Sequence, residues 1–142
     1  DAPAGNTSVE EPDVVSKLQS DPAPVSASPL ELRSVRFVGK GNGLELHSGE
    51  LAKVVVEVYN NTPEYMYNVK PMVMETSGNK HVFVSAPIIV EKIAPGKGIR
   101  YTAMVKADKK LKDGKVHFTV CAQESAQLRK SEIREFDVTT IR

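Results

Sequence analysis

The chain has 142 residues, a formal net charge of +1, 40% apolar residues, no tryptophan and one cysteine. This is about one domain's worth of sequence, with enough apolar residues for a single core. The scattered bases exclude a nucleic-acid partner, the lone cysteine excludes an intramolecular disulfide, and no apolar run reaches the ~18 residues of a membrane-spanning helix.

Residues 1–29 differ in composition from the rest of the chain. They contain five of the nine prolines and have a net charge of −4, from five acids and one base, whereas the remainder has +5, from 18 bases and 13 acids. Such a segment buries too little apolar surface to offset the entropy lost on ordering. We therefore predict a flexible Pro/Ser/Ala-rich tether, in which residues 13–19 have the spacing of one or two helical turns. The first residue is Asp, so we expect membrane association only through a removed or lipidated N-terminus.

From residue 30 onward, apolar residues alternate with polar ones, which is typical of half-buried strands. In chain order the predicted strands cover 30–38, 51–59, 65–75, 81–90 with a break at Pro87, 99–105, 116–122 and 136–138. The apolar parity changes between Leu32 and Val35, which predicts a bulge near Ser34. Pro71 cannot donate to a strand ladder, so its strand should lie at an edge or carry a bulge.

About seven short strands separated by turn residues favour an all-β, immunoglobulin-like antiparallel β-sandwich over residues 30–142. Two sheets are needed because a single sheet of this many strands would expose one apolar face, whereas two packed sheets bury both inner faces. The sequence has no alternation of strands with long helices that would indicate a parallel sheet.

Residues 30–141 also carry a series of short motifs in a fixed order. They are Phe37, Gly41-Asn42-Gly43, Gly49-Glu50, the Val-rich run that ends at Asn60-Asn61, Asn68-Val69, and Ile93-x-Pro95-Gly96. In these motifs the chain resembles the bacterial CARDB-type immunoglobulin-like modules, which are named for a presumed role in cell adhesion. The resemblance implies a non-catalytic appendage of a secreted or surface protein.

One turn departs from the pattern of several such relatives, which have an acidic Asp-x-Asn-Gly sequence after the first Phe. Here Gly39-Lys40-Gly41-Asn42 stands in its place, and a lysine disfavours a hard cation. The three histidines, His47, His81 and His117, are not at metal-ligand spacing, and no catalytic motif is present. We expect no metal, no cofactor and no catalytic residues.

Two features with potentially reactive side chains, the acids around His47 and the single cysteine, are interpreted as structural and not catalytic. Glu45 and Glu50 flank His47, and we interpret them as part of a polar loop rather than as a general base. Cys121 lies in an alternating apolar segment and should be a buried, unreactive thiol.

The most suggestive exposed cluster is Tyr59, Pro63, Tyr65 and Met66, which we predict to contact a partner. Loops at the end of a sandwich often carry recognition, and Tyr and Met are enriched at interfaces. The alternative is that Tyr65 and Tyr67 close one end of the core, with Tyr67 facing inward like Val69.

These observations predict an extracytoplasmic module, either periplasmic, anchored at the outer membrane or secreted. It would act through loop or strand-edge contacts with another protein or with a cell-surface or glycan component. A carbohydrate-binding module that uses Tyr59, Tyr65 and Tyr67 is the alternative, and an enzyme has the weakest support.

Overall fold

The computed structural model describes the backbone of residues 7–10 and the whole of residues 28–41 and 43–142. These residues form eleven strands and no helix: β1 (Thr7–Glu10), β2 (Leu30–Val38), β3 (Glu45–His47), β4 (Leu51–Asn60), β5 (Met66–Glu75), β6 (Val82–Val84), β7 (Val90–Ile93), β8 (Gly98–Ala107), β9 (Gly114–Glu124), β10 (Arg129–Lys130) and β11 (Arg134–Ile141). In the described part of the chain, no helix has the length and apolar character needed to cross a membrane.

The strands form two sheets. In sheet A, β2 pairs with β4 and β4 with β8, and the far edge of β8 is shared by β1 and β6. In sheet B the order is β3-β11-β9-β5-β7, and the short β10 pairs with β9. All pairs are antiparallel except β3 with β11, so the prediction of an antiparallel, immunoglobulin-like sandwich is confirmed.

The strand number is higher than the seven that the sequence predicted. Pro87 lies between β6 and β7 and makes them two separate strands, as the sequence allowed. The very short β3 and β10 were not predicted, because two or three residues show no alternation. The predicted tether contains β1, while its predicted helical turns at 13–19 lie outside the described residues.

The core lies between the sheets and follows the predicted alternation. On β4 the side chains of Ala52, Val54, Val56 and Val58 are buried. Phe118 is fully buried at the centre of β9, and its ring centroid lies 6.2 Å from that of Phe37 and 5.5 Å from that of Phe136. Burying each large apolar side chain contributes about 1.5–3 kcal/mol, so this alternating pattern is the main stabilising feature of the domain.

The predicted bulge in β2 is present. Ser34 has a φ of 53°, and the register of β2 with β4 shifts between Arg33 and Arg36. The extra residue explains the change of parity, because Leu32 before it and Phe37 after it both pack on the core.

Pro71 lies at an open edge, as predicted. It pairs with Ala122 of β9, while the pairing of β5 with β7 ends at Val69 opposite Val90. Among the described residues, β5 therefore has a strand partner at Pro71 on the β9 side only. Both backbone polar groups of Ala122 bond to Ser131 instead, so the missing N–H of Pro71 costs no ladder bond.

The inward position expected for Tyr67 is wrong. Met66 and Val69 are fully buried, whereas Tyr67 is 47% exposed. Between Tyr67 and Val69, Asn68 has a φ of 57°. This local turn of the backbone changes the parity of β5, and it leaves Tyr67 on the outer face of sheet B.

Candidate functional site

Two exposed tyrosine rings lie side by side where the chain enters β5. Tyr65 and Tyr67 are 46% and 47% exposed, and their ring centroids are 6.1 Å apart at an interplanar angle of 21°. Lys92 of β7 is the strand partner of Tyr67, and its Nζ lies 5.6 Å from the Tyr65 ring centroid. Together with the exposed Pro63 in the preceding loop, these residues form what we call the tyrosine surface.

The loop that carries this surface is fixed by one buried side chain. The Asn60 amide donates hydrogen bonds to the carbonyl oxygens of Glu64 (2.7 Å) and Ile93 (2.9 Å). Its oxygen accepts hydrogen bonds from the backbone N–H and the hydroxyl of Thr62, at 2.9 and 2.6 Å. Asn60 is fully buried, so all its polar atoms are used internally. The β4–β5 loop is therefore held against the end of β7, and the tyrosines are presented on a rigid base.

The other two residues of the predicted cluster lie beneath the surface. Met66 is fully buried, and Tyr59 is 4% exposed. The Tyr59 ring is covered by the guanidinium of Arg33, whose Cζ lies 3.7 Å from the ring centroid. This is a close cation–π contact. Of the four residues, Pro63 and Tyr65 are thus accessible to a partner, and Tyr67 and Lys92, which were not in the predicted cluster, lie beside Tyr65.

Of the two residues that the predicted cluster lacked, Tyr67 and Lys92, the sequence indicated only one. Tyr67 follows Tyr65 at a spacing of two, which places both on one face of a regular strand. Lys92 is distant in sequence and joins them only through the pairing of β5 with β7.

A second surface is a cleft on the side of the sandwich, where β2 faces β11. It has a volume of about 210 Å³ and is lined by Val35, Arg36, Phe37, Leu44, Arg134, Glu135 and Phe136. Along this side, β2 pairs only with β4, and residues 134–138 of β11 pair only with β9 among the described residues. The cleft therefore lies between two strand edges, and its lining is partly apolar and partly charged.

Glu50, the acid of the Gly-Glu motif, has a structural role. Its carboxylate accepts hydrogen bonds from the backbone N–H groups of Lys40 and His47, and the Nδ1 atom of His47 lies 3.3 Å away. Burial raises the pKa of Glu50, but the hydrogen bonds from His47 and Lys40 outweigh this effect, and the net shift is downward. The carboxylate thus ties the turn after β2 to the turn before β4. The expected polar loop is only partly correct, because Glu45 and His47 lie in β3 and Glu50 alone lies in the turn that follows.

The other two histidines also pair with carboxylates. His81 Nδ1 lies 3.0 Å from Asp108 Oδ2 and links two turns. His117 faces outward, as expected, with Nδ1 2.6 Å from Asp137 and Nε2 2.8 Å from Glu135. These two contacts raise the pKa of His117, the hydrogen bond to Asp137 having the larger effect.

Among the residues that the structure describes, no group of three or more His, Cys, Asp or Glu residues is arranged to hold a metal ion. Cys121 is a free thiol that is only half-buried, so the predicted burial in the core is wrong. Its partial burial still raises its pKa, which lowers its thiolate fraction near neutral pH.

Comparisons with known proteins identify the fold. No family model matches the sequence, and no curated protein matches it. A trypsin-activated α2-macroglobulin from Escherichia coli superposes with a TM-score of 0.56 and 12% identity over 82% of this chain, which spans only 8% of the length of that protein. The CARDB domain of a Pyrococcus furiosus protein superposes with a TM-score of 0.54 and 14% identity, covering 80% of this chain and 97% of that domain.

A conjugative transposon lipoprotein from Bacteroides eggerthii is also similar, with a TM-score of 0.48 and 11% identity over 78% of this chain and 96% of that one. At these identities the likeness establishes the fold alone. The chain has a CARDB-like β-sandwich, as the sequence motifs indicated.

Proposed function

We propose that this chain is a non-catalytic, extracytoplasmic interaction module that binds another protein through the tyrosine surface. The observation that carries the proposal is the stacked, half-exposed pair of Tyr65 and Tyr67, next to a loop that Asn60 holds in place by hydrogen bonds. The chain contains four tyrosines, and two of them meet at this one exposed place.

The chemistry of the surface favours a protein partner. Tyrosine supplies a large contact area with few rotatable bonds, so little conformational entropy is lost on binding. The rigid base reduces the loss further, because the loop does not have to be ordered when the partner arrives. Lys92 adds one positive charge beside the rings and favours a partner with an acidic group at the rim of the contact.

The proposed location rests on the resemblance to modules of secreted and surface proteins, and on it alone. In this proposal the residues before β1 link the sandwich to a membrane or to a neighbouring domain, since β1 itself pairs with β8. Fractionation of the source cells with an antibody against the sandwich tests it, and recovery of the protein in the cytoplasmic fraction would contradict it.

The partner can be sought by comparing variants of the full chain. The wild type, the Tyr65→Ser/Tyr67→Ser variant and the Phe83→Ser control are immobilised and exposed to a solubilised extract of the source cells. Phe83 is 52% exposed on β6, in the other sheet. A genuine partner should be retained by the wild type and by the control. The double variant should bind it more weakly by about tenfold or more, because truncation of an aromatic anchor typically costs about 2 kcal/mol.

Equal retention by all three chains would refute the role of the tyrosine surface. The affinity of the purified partner for each chain, measured by calorimetry, should then repeat the order found in the capture experiment.

A second candidate function is carbohydrate binding at the same place. It is favoured by the near-parallel orientation of the two rings, since flat, exposed aromatic faces can stack on sugars. Tyr59, the third member of the set predicted for this role, is buried under Arg33. A glycan array decides between the candidates: a signal that is lost on Tyr65→Ala supports a sugar ligand, and the absence of a signal excludes the glycans tested.

A further inference from the structure

The outer edge of β8 is occupied by two separate pieces of the chain. β6 pairs with Val105–Ala107 only, at the end of the strand. At Met104 the hydrogen-bonding partner is Ser85, which follows β6. The Ser85 N–H donates to the Met104 carbonyl oxygen, and the Ser85 hydroxyl accepts from the Met104 N–H, both at 3.0 Å. For the residues of β8 that precede Met104, Arg100–Ala103, the partner strand is β1.

This part of β8 belongs to the core and needs a strand partner. Ile99, Tyr101 and Ala103 are at most 5% exposed. If the backbone N–H and C=O groups next to such buried residues are left unpaired, the folded state is destabilised. An unpaired strand edge is also a template for another chain.

The sequence of β1 matches the two faces of β8. The register sets Thr7 and Val9 opposite Ala103 and Tyr101, which face the core, and it sets Glu10 opposite Arg100. In an antiparallel pair, residues directly opposite each other lie on the same face. The β-branched residues are thus in register with the inward positions of β8, and an acid is in register with a base.

The occupant is nevertheless a weakly held strand. It has four residues, and seventeen residues, 11–27, separate it from the next described residue, Ser28. Three of these seventeen are prolines. A strand of four residues gains few ladder bonds to offset the entropy lost when its backbone is fixed. Elements of this kind open more readily than the strands they cover.

We propose that the β8 edge at Arg100–Ala103 is a strand-acceptor site for an extended segment of another protein, and that β1 is the built-in strand that keeps it closed. The segment that fits has small or β-branched residues opposite Tyr101 and Ala103 and an acidic residue opposite Arg100. It binds by main-chain pairing, with specificity from alternate side chains. This site lies in sheet A and does not depend on the tyrosine surface of sheet B, so either proposal can fail without the other.

The test uses the full chain and a fluorescein-labelled synthetic peptide with the sequence of residues 6–11. In a Cys121→Ser background, Ser8→Cys and Thr102→Cys place two thiols at directly opposite positions, where a disulfide can form across the strands. Oxidation should give an intramolecular disulfide that locks β1 in place. In a second chain, Ser8→Pro/Val9→Pro weakens β1. Alternate N–H groups of a strand point to alternate sides, so one of the two prolines removes a bond to β8 whichever side is involved.

Fluorescence anisotropy should show that the peptide binds the double-proline chain. The affinity for the wild type should be lower by about tenfold or more. The reason is that β1 occupies the edge in most molecules, and the apparent affinity falls in proportion to the fraction of molecules in which the edge is open. The oxidised cysteine variant should not bind, and reduction should restore the behaviour of the wild type. A scrambled peptide is the control for non-specific binding.

Three results would overturn the proposal. The peptide fails to bind a double-proline chain that is folded by circular dichroism; it binds the locked variant as well as it binds the wild type; or oxidation gives a disulfide between two molecules, which would make β1 of a second copy the occupant. If the proline variant does not fold, Ser8→Gly/Val9→Gly replaces it and is judged by the same criteria.

Discussion

Replacing Glu50 gives the sharpest test of how this sandwich holds its loops. The Glu50 side chain is 2% exposed and accepts hydrogen bonds from two backbone N–H groups, those of Lys40 and His47. Glu50→Ala removes the charged acceptor of both hydrogen bonds, and a hydrogen bond to a charged group contributes roughly 1.5–3 kcal/mol. We expect a loss of about 3 kcal/mol in the free energy of unfolding. Glu50→Gln keeps one acceptor oxygen and should lose about half as much.

Urea unfolding followed by circular dichroism measures these losses, with Glu91→Ala as the exposed control, which should stay within about 0.5 kcal/mol of the wild type. The pH dependence provides a second check. Because the pKa of Glu50 is lowered in the folded state from 4.5, its contribution is fully present above the unfolded pKa and is lost as the pH falls through the lowered value. The stability difference between the wild type and Glu50→Gln should therefore shrink in acid. A loss below about 1 kcal/mol for Glu50→Ala, or a difference that does not change with pH, would refute this account.

Three further predictions concern other parts of the molecule. Arg129→Met should lower the free energy of unfolding by about 3 kcal/mol in urea titrations. The guanidinium of Arg129 donates two hydrogen bonds, at 3.0 and 3.2 Å, to the two oxygens of the buried Glu124 carboxylate, and the substitution removes both. A loss no larger than that caused by replacing an exposed arginine would contradict this prediction. NMR titration should find the pKa of His117 above 6.5, and Asp137→Asn should lower it. Because the pKa of His117 is raised in the folded state, its contribution to stability is present below the unfolded-state pKa and is lost as the pH rises through the folded-state pKa. A pKa at or below 6.5 would show that the contact between His117 and Asp137 does not form in solution. Ser34→Val should cost about 1–2 kcal/mol in thermal unfolding, while Ser34→Gly should be near neutral, because only glycine adopts a positive φ without strain; equal stability of the two variants would argue against the bulge.

The sequence predicted the sandwich and its irregularities from local pattern alone. The alternation in β4, β8 and β9 identifies their buried faces, because side chains in a strand point alternately to its two sides. The change of parity before Val35 located the bulge at Ser34 for the same reason. Pro71 indicated an edge because proline lacks the N–H that a central strand needs on both sides.

The candidate site was predicted less completely. Tyr65 and Pro63 are exposed, as the cluster required, but Tyr59 is covered by Arg33, which is 26 residues earlier in the chain. Nothing in the residues around Tyr59 indicates that contact. Tyr67 was assigned to the wrong face because the positive φ of Asn68 changes the parity of the strand, and an asparagine in such a run does not by itself require that conformation.

What the sequence by itself determined is therefore which residues form strands and, for regular strands, which side is apolar, since both follow from residues within a few positions of each other. Only the tertiary structure decided which strands are neighbours, that β1 lies on the edge of β8, and that Lys92 lies beside Tyr65 and Tyr67. These depend on pairing between segments far apart in the chain, where many registers satisfy the same local alternation and the packing of the whole core selects one.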